Sequence, residues 1–228
     1  MRSAAIFALL YLLVVPAARG QSTAAAPAPV PTTAGGAVEV DRIAARIEGD
    51  IITESEVREL AQYQKLVQGQ ADPREKVLEK LIEQWIVRTE AVAALSSRPS
   101  EEEVNHFLER LKQRIGSPEQ FRARMAEAGL SEDSVRRLLA EQVYLARFLD
   151  YKFRPAAQVD PKQIEAYYKN ELTAQLTTKG QPVPPLDEVE DRIREILTQR
   201  EINDRAAKWL DETKPRLHID LSPGGDGP

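Results

Sequence analysis

Few residues in this chain have types and spacing suited to catalysis. The two histidines, His106 and His218, fall in different segments: His106 among Glu102, Glu103 and Glu109 on the polar side of a helical pattern, His218 on the polar side of an alternating one. Neither belongs to a zinc-ligand spacing, so both are expected to be solvated imidazoles and not metal ligands. There is no cysteine, no Gly-x-Ser-x-Gly elbow and no glycine loop able to cradle a phosphate. Acidic runs such as Glu101-Glu102-Glu103 stand where a helix start favours negative charge. The expectation is therefore no catalytic residue, no metal and no cofactor, which leaves binding as the chemistry to look for.

The residues best suited to binding lie in the segment 132–153. Val135, Leu138, Leu139, Leu145, Ala146 and Leu149 form one apolar stripe at helical spacing, ample to dock a helix. Tyr144, Phe148 and Tyr151, spaced i, i+4, i+7, form a second stripe on nearly the opposite side. Two accounts compete. Either the helix is central and both stripes are core, as aromatic stripes usually are. Or Tyr144, Phe148 and Tyr151 line a groove for apolar segments of other polypeptides, where aromatic rings offer a large contact area at little entropy cost.

The elements that must position this helix are punctuated by capping and turn residues. Residues 40–47 loosely alternate, Glu48-Gly49-Asp50 is a turn, and Ile51-Ile52 follows, which predicts a short β-hairpin. Thr53 with Glu56, and Ser100 with Glu103, are capping boxes that start helices. Pro73 opens a long helix with a wide apolar arc from Val77 to Val92, and Gly116 and Gly129 are placed to stop later helices. Ser117-Pro118, Ser131 and Asp160-Pro161 start three more, the last through Tyr167, Tyr168 and Leu172. Residues 177–185, rich in Pro and Gly, predict a loop before a last long helix, closed by Pro215. The apolar stripe of that helix jumps between Leu197 and Ile202, so its halves should pack on different things. Residues 216–221 alternate and predict a terminal strand. It should join the hairpin, since two short strands alone are marginal. The fold class is mainly α, with a small β element made by an N-terminal hairpin and a C-terminal strand.

The ends differ in composition. Arg2, an apolar run over residues 4–15, Pro16 and the small residues Ala17, Ala18 and Gly20 read as a secretory leader over residues 1–20, cleaved before Gln21. The run is too short for a membrane anchor, which takes about 20 apolar residues. Residues 21–37 are almost only Ala, Pro, Thr, Ser, Gly and Val and predict a disordered linker, and residues 222–228 a disordered tail. The domain is then 38–221. The net charge of −5 becomes more negative without Arg2 and Arg19, which leaves no electrostatic footprint for nucleic acid or anionic lipid. With no cysteine, stability in an oxidising compartment must come from a packed core.

Residues 40–47 (Val-Asp-Arg-Ile-Ala-Ala-Arg-Ile), Gly49-Asp50-Ile51-Ile52, Thr53-Glu54-Ser55-Glu56, residues 79–84 (Glu-Lys-Leu-Ile-Glu-Gln), residues 163–168 (Gln-Ile-Glu-Ala-Tyr-Tyr) and the segment 186–221 occur in an order that resembles the N-terminal domain of the SurA chaperone family, related to the PrsA and trigger-factor-like foldases. The resemblance covers nearly all of residues 38–221. In that family a parvulin-type prolyl isomerase domain usually lies between the Tyr-Tyr helix and the last helix, or follows it. Here residues 170–186 fill the first place, and a separate domain needs roughly 50 residues or more, so the isomerase is expected to be missing and the chain not to be an enzyme. The resemblance implies an ATP-independent periplasmic holdase whose partners are unfolded or partly folded envelope and outer-membrane proteins, with no nucleotide, no nucleic acid and no membrane span after leader cleavage. A structural adaptor holding one folded envelope partner would use the same domain, and a prolyl isomerase without recognisable motifs is a third reading.

Overall fold

The structure is a computed structural model and describes residues 41–222. The leader, the linker, the onset of order at Val38 and the tail beyond Ser222 lie outside the described residues.

The described residues open with the expected hairpin, β1 (Ile43–Ile47) and β2 (Asp50–Thr53). Its loop is Glu48-Gly49, with φ of 50° and 96°. Left-handed backbone at both positions is the two-residue turn whose twist matches that of the flanking strands. Thr53 ends β2 and caps α1 (Glu54–Gln68): its side chain accepts from the Glu56 N–H, and Glu56 accepts from the Thr53 N–H at 2.8 Å. One residue thus ends a strand and starts a helix.

The remaining helices are α2 (Arg74–Ala93), α3 (Glu101–Ile115), α4 (Pro118–Ala128), α5 (Glu132–Phe153), α6 (Pro161–Tyr167), α7 (Thr173–Thr178) and α8 (Leu186–Thr213). Ser100, Ser117, Ser131 and Asp160 each cap the helix they precede. Residue Gly129 ends α4 at φ 71°, a conformation in which a side chain would be strained. Two features differ from expectation. Helix α6 runs through a π-helical turn (Tyr168–Leu172) into α7, so the loop begins after Thr178; the Thr173 hydroxyl takes up the Tyr168 carbonyl at 2.8 Å, and the prolines break the chain only from Pro182 onward. The terminal strand β3 is Ile219–Leu221, shorter than 216–221, because Pro215 draws Lys214–Arg216 into a 3-10 turn.

Strand β3 pairs antiparallel with β1, giving the sheet order β2-β1-β3. Ala45, Ile47 and Ile52 on its inner face are buried. They pack with Val57 and Leu60 of α1, the apolar arc of α2, Ala206 and Leu210 of α8, and Tyr144, Leu145, Phe148 and Leu149 of α5. A second core gathers Tyr63 and Leu66 of α1, Leu108, Leu111 and Ile115 of α3, Phe121 of α4, and Val135, Leu139 and Val143 of α5. Helices α1 and α5 therefore serve both cores with successive turns. The first half of α8 packs on α6, where Ile164 and Ile193 are buried, while its second half enters the sheet-side core. This is the division that the jump in its stripe predicted.

Candidate binding groove

Beside β3 the sheet ends over an open groove of about 610 Å³. Leu78 and Ile82 of α2 form its floor, Ile219 and Leu221 of β3 its far wall, and Arg74, Glu75, Glu79 and Lys214 its rim. Leu78 and Ile82 reach this position because they belong to the wide arc of α2, one part of which faces the sheet and the next part the groove. Leu221 is 62% exposed, a large apolar side chain left half outside the core because β3 is the edge strand of the sheet among the described residues.

Three of the four rim charges are held in ion pairs, Lys214 with Glu79 within the rim and Arg74 with Glu54 outside it. The Arg74 guanidinium donates to Glu54 of α1, which raises its pKa. The Lys214 ammonium donates to Glu79 at 3.0 Å and to Glu83 at 2.5 Å. With two cations and two anions the rim is balanced in formal charge. Behind the rim Glu83 is almost fully buried, and burial raises its carboxyl pKa by more than the bond from Lys214 lowers it; Glu79 and Asp211 add to the rise. For Lys214 burial acts to lower the ammonium pKa, and the two carboxylates together outweigh it and raise it. This pair fixes the turn that leads into β3 against α2. It joins residues too distant in sequence for any local pattern to link them.

The aromatic stripe of α5 is divided by the structure. Tyr144 and Phe148 are 1% and 2% exposed and belong to the sheet-side core, whereas Tyr151 is 73% exposed. The cause is the central place of α5, which packs against α2, α3 and α8. Cations close over the two buried rings: the Arg98 guanidinium lies 5.0 Å from the Tyr144 ring and the Lys152 ammonium 5.6 Å from that of Phe148. The three rings thus form no continuous exposed face, and the core account describes Tyr144 and Phe148. His106 sits beside Phe107 on α3, and His218 is exposed next to Asp220.

Among the described residues no helix is long and apolar enough to cross a membrane, and no group of three or more acidic or histidine side chains could hold a metal ion. No protein-family model matches the chain. Among curated proteins, Chaperone SurA of Ralstonia nicotianae (strain ATCC BAA-1114 / GMI1000) is 32% identical over 153 residues. This chain is similar to a chaperone. The match takes in 61% of this chain and 30% of SurA, so it spans less than a third of the relative's length.

Two outcomes follow for the residues placed here. Tyr144→Ala and Phe148→Ala should each cost ~3–5 kcal/mol of unfolding free energy, while Tyr151→Ala should stay within ~0.5 kcal/mol. Urea unfolding measures all three, and a small cost at Tyr144 or Phe148 would contradict their placement in the core. The second outcome concerns Glu83. Its raised pKa means that the folded protein holds a proton there at pH values where the unfolded chain has lost it. The stability from this group is thus fully present below the unfolded pKa and is lost as the pH rises through the folded one. The unfolding free energy of the wild type relative to Glu83→Gln should therefore increase as the pH falls from neutral toward the ordinary glutamate range. A difference that stays flat across that range would show that burial does not dominate at this carboxyl.

Proposed function

We propose that this protein is an ATP-independent holdase that shields apolar segments of unfolded cell-envelope polypeptides, outer-membrane proteins among them, and that the groove between α2 and β3 receives those segments. The observation that carries this reading is an open groove with the exposed Leu221 on its wall, the nearly buried Leu78 and Ile82 at its floor, and a rim of two cations and two anions. Such a surface can take many sequences, because it offers contact area without demanding a particular charge. The likeness to Chaperone SurA supports the class of activity. Tyr151, exposed at the end of α5, is proposed as a peripheral contact for the same segments. Rapid, reversible contacts of this kind release a client without chemical energy.

The purified protein should suppress the aggregation of several unrelated denatured proteins, without nucleotide and at near-stoichiometric ratios. Light scattering measures this. Binding to one folded envelope partner with no effect on unfolded chains would replace the holdase by a structural adaptor. Turnover in a prolyl-isomerisation assay would replace it by an enzyme.

The compartment proposed is the periplasm, supported by the leader composition of residues 1–20 and by the same likeness. Intact mass of the exported protein should place the mature N-terminus at Gln21. A periplasmic form that still carries residues 1–20 would contradict cleavage there, and a cytoplasmic protein would remove envelope clients from the proposal.

A further inference from the structure

The backbone of β3 adds a second set of binding groups to the groove. Asp220 lies opposite Arg46, the Ser222 N–H donates to the Ala44 carbonyl at 3.0 Å, and the Glu48 N–H donates to the His218 carbonyl at 3.1 Å. Residues 218, 220 and 222 therefore face β1. In an antiparallel ladder such positions alternate with residues whose N–H and C=O point the other way. Those are Ile219 and Leu221, opposite Ile47 and Ala45, and their peptide groups point out of the sheet at the edge that the order β2-β1-β3 leaves open among the described residues. The side chains of the same two residues form the far wall of the groove. Two backbone donors, two backbone acceptors and an apolar floor thus converge on one strip of surface.

We propose that the outer edge of β3 accepts an extended polypeptide segment as a fourth, antiparallel strand, with alternate apolar side chains laid over Leu78 and Ile82. The proposal rests on the holdase reading for the source of the segment, an unfolded chain of another protein. The pairing itself rests on the register. An occupant must present alternating N–H and C=O groups about 4.8 Å from β3, which is what extended backbone does. In antiparallel pairing a residue opposite Ile219 or Leu221 exchanges both of its backbone bonds with that residue and turns its side chain to the same face, here the floor. Its chain neighbours point both backbone and side chain elsewhere. The groove therefore selects segments in which apolar and polar residues alternate, and a block of apolar residues would leave half of its side chains in water. The chain's own residues 223–228 do not meet this requirement, since they are Pro, Gly and Asp only.

The test uses the full chain and fluorescein-labelled ten-residue peptides read by anisotropy. One peptide alternates leucine or valine with serine or threonine. Two further versions carry N-methyl groups, either on the amides of the apolar residues or on those of the polar residues. Methylation at the apolar residues should weaken binding at least tenfold, and methylation at the polar residues less than twofold. Leu221→Pro removes the outward N–H and changes the wall of the groove while keeping every bond to β1. It should bind the unmodified peptide at least tenfold more weakly, with an unchanged circular dichroism spectrum and unfolding midpoint. If that variant fails to fold, the methylation contrast in the wild type decides alone. Equal loss from both methylated peptides, no loss from either, or no binding of the alternating peptide overturns strand addition. So does a dimer in sedimentation whose dissociation tracks peptide binding, which would assign the edge to a second copy of this chain. Aggregation suppression that is indifferent to these peptides would leave the holdase standing without strand addition. The methylation contrast without aggregation suppression would do the reverse.

Discussion

Helix α5 is walled by apolar side chains on more than one side, and the arrangement of the other helices follows from that. Its first half supplies Val135, Leu139 and Val143 to the core shared with α3 and α4, and its second half supplies Tyr144, Leu145, Phe148 and Leu149 to the core under the sheet. Each fully buried side chain of this size is worth ~1.5–3 kcal/mol in apolar transfer. The helix can realise that gain only if neighbours close over it on both sides. Helices α2 and α8 do so for one half and α3 for the other. With its aromatic faces consumed by packing, the centre of the molecule has little left to offer a ligand. Apolar surface is accessible instead at the periphery, where the sheet runs out.

The sheet runs out at β3, and β3 is held in place by polar chemistry as much as by apolar contact. A two-stranded hairpin is marginal in water. Here a third strand, arriving from the far end of the chain, completes it. Glu48, strained into left-handed backbone at the hairpin turn, donates its N–H to the His218 carbonyl and accepts the His218 N–H on its carboxylate at 2.7 Å. Lys214, one turn earlier, is fixed by Glu83 and Glu79. These bonds place a three-residue strand whose own apolar burial is small. They also leave its outer edge bare, because the residues they use are the ones facing inward or preceding the strand.

What the sequence disclosed and what it withheld divide along the same line. Helix starts at Thr53, Ser100, Ser117, Ser131 and Asp160 were legible because a cap involves residues within one turn of each other. Both stripes of α5 were legible for the same reason. Which stripe would be covered was not, since coverage depends on helices that arrive from other parts of the chain. Tyr151 shows this well: it follows Tyr144 by seven residues on nearly the same face, ~10 Å further along the axis at 1.5 Å per residue, and is 73% exposed, while Lys152 and Phe153 beside it meet Glu90 of α2 and Trp209 of α8. The groove was the least legible feature. Leu78 and Ile82 read simply as members of a broad arc, and Leu221 as one side of an alternating strand. Only the pairing of β3 with β1 brings them together. The link between Glu83 and Lys214 had no local signal, as neither residue stands out from the many charges around it.

The antiparallel pairing of β1 and β3 also fixes how the domain would respond to load. Residue 41 precedes β1 and Ser222 follows β3, and the bond from the Ser222 N–H to the Ala44 carbonyl sets these two points at the same end of the ladder. Tension between them would act across the strands and not along them. The bonds to β1 would then open one after another, beginning with that of Ser222, and resistance would come from a single bond at a time instead of from the whole ladder in shear. A domain gripped at these points is mechanically soft in this direction, and the core that lies away from the sheet, around Tyr63, Leu111 and Leu139, is not loaded by it. Once β3 peels away, Leu78 and Ile82 lose the far wall of the groove, so tension between residue 41 and Ser222 opens the groove before the helices beneath it.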